Sequence, residues 1–117
     1  MKATIYHNPR CSKSRNTLKI LKEQGLEVNE IRYLEKPPTK SELQKICQQL
    51  GVAPLNIVRT GETLFKELEL STKENKKDDE WLSILIANPK LIERPIVQIG
   101  EKAIIGRPPE NVLKIIS

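Results

Sequence analysis

The sequence predicts an α/β fold: a mixed four-stranded sheet flanked by helices, with a helical insertion before its last two strands. Three observations lead there. A β-α-β pattern opens the chain, helical spacing broken by Pro54, Gly61 and a polar 71–77 segment fills the middle, and a hairpin followed by a helix closes it. At 117 residues the chain makes one domain, 1–117, able to bury roughly two-thirds of the surface its unfolded form exposes.

The elements follow in order. "ATIYH" at 3–7 is short, β-branched and aromatic, and the Asn8-Pro9 turn signal ends it as a strand. From Ser12 to Gln24, Leu18 and Leu21 share a helix face with Ser14 and Cys11, and Gly25 stands where a left-handed cap ends a helix. "EVNEIRYL" at 27–34, between Gly25 and Pro37-Pro38, reads as a second strand. A second helix runs from about Thr39 to Leu50, because Leu43, Ile46, Cys47 and Leu50 fall at i, i+3, i+4 and i+7 and Gly51 follows. Residues 53–88 read as short helices. "IVQIGEKAII" is two apolar runs joined by Gly100-Glu101, a hairpin signal, and "PPENVLKII" closes the chain as a helix with proline at its start.

Composition narrows the function. No stretch approaches the ~18 apolar residues of a membrane span, and the first ten residues lack the apolar core of a signal peptide, so the cytoplasm is the expected location and no membrane partner is expected. The formal charge is +5, but acids interleave with the bases, as in "KENKKDDE" at 73–80. Tyr6, Tyr33, Phe65 and Trp81 are the whole aromatic set, too few for stacking platforms, so nucleic acid is not the expected partner. Cys11 and Cys47 stand alone in the sequence, and a reducing compartment favours two free thiols.

Cys11 is the residue with a chemical setting. It sits where a strand gives way to a helix, facing the N–H groups and positive dipole end of that helix, with Arg10, Lys13 and Arg15 within four residues and His7 close by. Each of these favours the thiolate, so a pKa below that of a free cysteine is expected. The same helix start can bind an oxyanion without a glycine-rich loop. Neither the nucleotide P-loop pattern nor the C-x5-R loop of cysteine phosphatases is present, since Thr17 occupies the arginine position of the latter. Ser14 stands where a dithiol oxidoreductase carries its second cysteine. If Cys11 turns over as a redox nucleophile, it must be released by Cys47 or an external thiol. Cys47 lies on an apolar stripe without cations and reads as a small buried hydrophobe, which favours an external thiol, glutathione.

The stretches "IYHNPRCSKSRNTL", "RYLEKPP", "IVRTGE", "NPKLIERPIV" and "GRPPENVL", in this order, resemble the glutaredoxin-coupled arsenate reductases over nearly the whole chain. The resemblance implies a thioredoxin-like fold, with 1–52 and 89–117 as its core and 53–88 as the helical insertion. It implies Cys11 as nucleophile and Arg59, Arg94 and Arg107 as the arginines that bind and polarise the oxyanion. His7, Asn8 and Ser14 become the supporting loop, His7 assisting thiolate formation and Ser14 bonding the sulfur or its adduct. Pro95 matches the position where thioredoxin-like folds hold a cis-proline beside the active thiol. It further implies arsenate or another small oxyanion as substrate, glutathione as co-substrate, glutaredoxin as partner, and no metal or tightly bound cofactor. Arg10, Ser12 and Lys13 resemble a related branch, which keeps open a glutathione-linked thiol reductase with little action on arsenate. A third reading is an Spx-like regulator that binds RNA polymerase; Ser14 in place of a second cysteine, and the three arginines, count against it.

Overall fold

The computed structural model of the chain describes residues 2–73 and 75–116. Its elements are β1 (Lys2–Tyr6), α1 (Ser12–Glu23), β2 (Glu27–Ile31), α2 (Lys40–Leu50), α3 (Thr63–Glu67), α4 (Asp78–Ala87), β3 (Ile96–Ile99) and β4 (Lys102–Ile105). Short 3-10 turns lie at Pro54–Ile57, Pro89–Leu91 and Pro109–Lys114. By their internal contacts these form two units, residues 1–36 with 94–117, and residues 37–93.

The first unit is a mixed four-stranded sheet in the order β2-β1-β3-β4. β1 runs parallel to β2 and antiparallel to β3, and β3 pairs antiparallel with β4 through the Gly100 turn. Gly100 has φ +59, a left-handed conformation that glycine adopts without a Cβ penalty. Residues opposite one another across strands share a face, so the row Ile5↔Val97↔Ile104 points one way. Ala3, Ile5, Val97 and Ile99 are buried there with Leu21 of α1, Leu26 and Val112. Leu21 is wholly buried because it lies on the inward stripe of a helix whose other faces are mostly Lys, Arg, Glu and Asn.

Two sequence expectations change in this unit. The second strand ends at Ile31, not residue 34, because the N–H groups of Glu35 and Lys36 return to the Arg32 carbonyl and turn Tyr33 inward. The closing segment is a 3-10 turn, not a helix over 108–116: Asn111 N–H bonds the Pro108 carbonyl and Ile115 N–H that of Val112, while the Asn111 side chain also bonds the Arg107 carbonyl.

The second unit is helical. Thr39 caps α2 reciprocally, its Oγ1 accepting the Glu42 N–H at 3.1 Å while Glu42 Oε1 accepts the Thr39 N–H at 2.9 Å; Gly51 ends the helix at φ +71. Leu43, Ile46 and Cys47 form its buried stripe, and Trp81, Leu82 and Leu85 that of α4. Phe65 and Trp81 stack with ring centroids 6.5 Å apart. As a compact unit it spans residues 37–93. It takes in α2, whose apolar stripe packs against α4, and runs to Glu93, because Val58 pairs with Ile92 and the Glu93 N–H bonds the Ile57 carbonyl.

Truncating the wholly buried Leu21 to Ala is expected to lower stability by about 2–5 kcal/mol, read from the denaturant midpoint at unchanged m-value. Removing the exposed Thr39 cap (Thr39→Ala) is expected to remove about 1 kcal/mol.

Candidate active site

The register of the sheet decides which loops meet. Tyr6 pairs with Ile96 and Ile96 with Ile105, so the residues after β1, before β3 and after β4 converge at one end of the sheet. These residues are His7 to Cys11, Arg94-Pro95, and Gly106-Arg107. The Gly106 N–H bonds the Pro95 carbonyl at 2.9 Å and Arg107 Nη1 bonds the Arg94 carbonyl at 3.2 Å, joining two of the three segments. The Arg94–Pro95 bond is cis, and so is Arg107–Pro108, which no sequence expectation covered.

Asn8 shapes the loop that presents the cysteine. Its Oδ1 accepts the Arg10 N–H and its carbonyl accepts the Cys11 N–H, each at 3.0 Å. Cys11 is thereby set as the N-cap of α1 in extended conformation, φ −93 and ψ 121. No side chain takes the cap bond. The Ser14 and Lys13 N–H groups at the helix start and the Arg94 guanidinium instead favour charge on the Cys11 sulfur. Partial burial raises the thiol's pKa, but the Ser14 N–H, Arg94 and the Lys13 N–H outweigh it, so the net shift is downward.

Arg94 is fixed in turn. Burial disfavours its charge, and the Tyr33 hydroxyl and the Cys11 sulfur more than restore it, so its pKa is raised further. Tyr33 is 1 % exposed, and its hydroxyl and Arg94 Nε are both shielded from water.

His7 and Ser14 form a buried pair behind the cysteine. His7 Nδ1 lies 2.7 Å from Ser14 Oγ, which also accepts the Asn8 N–H at 3.1 Å. The His7 pKa is lowered, chiefly by burial and then by Arg32, Lys22 and Arg15, against an opposing pull from Glu30, so the ring is neutral near pH 7. Ser14 thus reaches the sulfur through its backbone N–H, while its hydroxyl is held between His7 and Asn8.

Thr17 and Gly106 were not singled out as site residues, yet they pack α1 against the arginine segments. Thr17 is wholly buried, its hydroxyl donating to the Lys13 carbonyl at 2.7 Å; a Cβ on Gly106 would lie 2.5 Å from Thr17 Oγ1 and 2.9 Å from Pro95 Cγ. The signal in the sequence was the position of Thr17, one turn beyond Ser14 on the same face. Tyr33 left no such signal. Arg59 belongs to the helical unit, where Nε meets Glu62 at 3.1 Å and Nη1 meets Glu93 at 3.0 Å. Cys47 is buried, and desolvation with some help from Asp78 pushes its thiol up to about 11. Among the described residues no group of three or more His, Cys, Asp and Glu could hold a metal, and no helix is long and apolar enough to cross a membrane.

The family model described as the ArsC family matches residues 6–115 of the chain. The chain belongs to the ArsC family. An arsenate reductase of Haemophilus influenzae is 43% identical over 99% of this chain and 100% of its own length. A protein of Escherichia coli K12 described as uncharacterized and called YfgD is 46% identical over 96% of this chain and 94% of its own. The solved arsenate reductase from Vibrio cholerae superposes with a TM-score of 0.93 at 46% identity, covering 99% of this chain and 98% of the other. The thioredoxin-like α/β architecture of this ArsC-family chain is therefore shared with arsenate reductases at both the sequence and the structural level.

The thiol geometry carries an expected outcome. Alkylation of Cys11 followed against pH will show a midpoint below that of an unperturbed thiol, and Arg94→Gln will raise it; Tyr33→Phe, which keeps the guanidinium but removes its hydroxyl partner, will raise it by less. Cys47 will stay unmodified in the native protein over the same range.

Proposed function

We propose that this ArsC-family protein is an arsenate reductase that uses the Cys11 thiolate, glutathione and glutaredoxin. One observation carries the reading: Cys11 caps the start of α1, where the Ser14 and Lys13 N–H groups and the Arg94 guanidinium together favour charge on its sulfur, a setting that suits a thiolate and an oxyanion beside it. The likeness to arsenate reductases over almost the full chain supports the substrate.

In the proposed reaction, the Cys11 thiolate attacks arsenic(V) and water leaves, forming a thiol–arsenate adduct. Glutathione then adds through its sulfur. The two sulfurs join as a Cys11–glutathione disulfide, and the electron pair that held sulfur to arsenic stays on arsenic, now arsenic(III). One Cys11 thiol, one glutathione and one arsenic acid give one mixed disulfide, one arsenous acid and one water, so atoms and electrons balance. Glutaredoxin takes the glutathione from Cys11 by thiol–disulfide exchange. Arg94 polarises the oxyanion from beside the sulfur, and Arg59 and Arg107 are assigned to the same anion on the family pattern. A planar fork that stays charged suits a tetrahedral oxyanion. Reduction in the cytoplasm fits a chain whose two cysteines are both free thiols.

The test is arsenite production from arsenate with glutathione and glutaredoxin. The wild type is expected to produce it, Cys11→Ser to lose it entirely, and Cys47→Ser to keep most of it. Lysine in place of Arg59, Arg94 or Arg107 is expected to impair reduction at unchanged formal charge, because a point cation cannot make two directed N–H···O bonds. Loss only at limiting arsenate assigns binding, and loss at saturation as well assigns the transition state. A wild type that makes no arsenite but accepts glutathione at Cys11 and passes it to glutaredoxin is a thiol reductase, and the proposal falls.

A further inference from the structure

The net charge of the chain is confined to one of its two units. Residues 1–36 with 94–117 carry 12 Lys and Arg against 6 Asp and Glu, a net +6, whereas residues 37–93 carry 8 against 9, a net −1. The unit that holds Cys11 therefore supplies the whole positive balance of the protein.

Within that unit, two cations stand apart from the rest at the cysteine. Arg10 immediately precedes Cys11 and Lys13 lies two residues beyond it; both residues are exposed, whereas Cys11 itself is half-buried. Among the described residues neither takes part in an ion pair, although Lys19, Lys22, Lys40 and Arg59 all do. Arg15 is engaged as well, donating to the Pro9 carbonyl at 2.9 Å. The groups that set the sulfur's charge are the N–H groups of Ser14 and Lys13 and the Arg94 guanidinium, so the side chains of Arg10 and Lys13 are left for another purpose.

That purpose is posed by the chemistry at Cys11. Every partner sulfur must come close to an anion, the thiolate before reaction or a thiol–oxyanion adduct after it. A partner that itself carries carboxylates is repelled at that moment, unless cations outside the sulfur's own hydrogen bonds meet those carboxylates.

We propose that Arg10 and Lys13 form a carboxylate-recognition pair that selects anionic thiols and disulfides, the class to which glutathione belongs, as the sulfur partners of Cys11. The proposal rests on Cys11 being a reactive thiolate and deepens the reading above by naming residues that choose the co-substrate. It does not depend on arsenate. A small solute is favoured as the occupant over a docked protein because the pair spans only four residues about one cysteine.

The test uses the full-length reduced protein and no arsenate. The Cys11 thiolate attacks one sulfur of a disulfide, the S–S bond breaks, a mixed disulfide forms at Cys11, and the other half leaves as a thiolate; no further oxidant is needed. Second-order rates are read from intact mass, with peptide mapping to Cys11, for oxidised glutathione, bis(2-hydroxyethyl) disulfide and cystamine, which are anionic, neutral and cationic. Each rate is divided by that of the same disulfide with 2-mercaptoethanol, so that intrinsic reactivity cancels.

The wild type is expected to favour oxidised glutathione over the neutral disulfide by about tenfold at low salt, with cystamine slowest, and to lose most of that advantage at high salt. Arg10→Gln/Lys13→Gln is expected to reduce the advantage to about twofold or less, read as the ratio of anionic to neutral rates in the same variant so that any change in Cys11 reactivity cancels. Lys2→Gln/Lys102→Gln removes two charges from the same unit at the opposite end of the sheet, where β1 and β4 begin, and is expected to keep the preference. No anionic advantage in the wild type, an advantage retained by the Arg10/Lys13 variant, or equal losses in both double variants would overturn the proposal. A protein that forms no arsenite yet shows the charge preference would refute the arsenate reading and leave this one standing.

Discussion

The interaction on which the rest depends is the one between the Cys11 sulfur and the first turn of α1. Two of the three groups that favour charge on that sulfur are backbone N–H groups, and a backbone N–H can be aimed only by placing the helix. As the N-cap residue in extended conformation, Cys11 stands at the first turn, where the N–H groups of Lys13 and Ser14 favour its thiolate. Asn8 enforces that geometry with three groups at once: its Oδ1 holds Arg10, its carbonyl holds Cys11, and its N–H holds Ser14 Oγ. The buried His7–Ser14 pair anchors the loop from behind. His7 is neutral, so it contributes shape and hydrogen bonding there without adding a charge that would have to be desolvated.

The third donor has a different origin. Arg94 is brought to the sulfur by strand register: the hydrophobic rows Ile5↔Val97↔Ile104 and Tyr6↔Ile96↔Ile105 fix how β1, β3 and β4 align, and the residues flanking those rows are the chemical ones. A slip of one residue would turn every side chain of the strand to the other face of the sheet, which the buried set Ala3, Ile5, Val97 and Ile99 forbids. Core packing thus aligns the site. The wholly buried Thr17 then sets how closely α1 approaches Gly106 and Pro95, and so how far the helix start lies from the arginine segments.

Local signals in the sequence were enough for what is local. The β-α-β opening, the helix at Ser12, the helix start near Thr39, the Gly51 stop, the Gly100 hairpin and the thiol at a helix start each follow from residues within a few positions of one another. Arg94 and Arg107 could be singled out only through resemblance to a family, because their place depends on strand pairing across most of the chain. Tyr33 gave no signal. It lies inside a run that reads as strand, and its inward turn follows from two hydrogen bonds to the Arg32 carbonyl that no local propensity encodes. The α2 stripe is likewise visible in the sequence, but its packing against the stripe of α4 is a tertiary fact.

The proposed role of Arg10 and Lys13 separates two tasks that could have fallen to the same cations. Hydrogen bonds to sulfur raise the fraction of thiolate, but they also withdraw electron density, and a thiolate of lower pKa is intrinsically a weaker nucleophile. Once the pKa lies below the working pH, a further donor on the sulfur adds almost no thiolate and still slows attack. Charges that do not touch the sulfur escape this penalty, since they act on the encounter by raising the local concentration of an anionic partner. Three donors on the sulfur and two exposed cations beside it are what such a division of labour requires. Moving Arg10 or Lys13 onto the sulfur would spend their charge on a thiol that is already acidified.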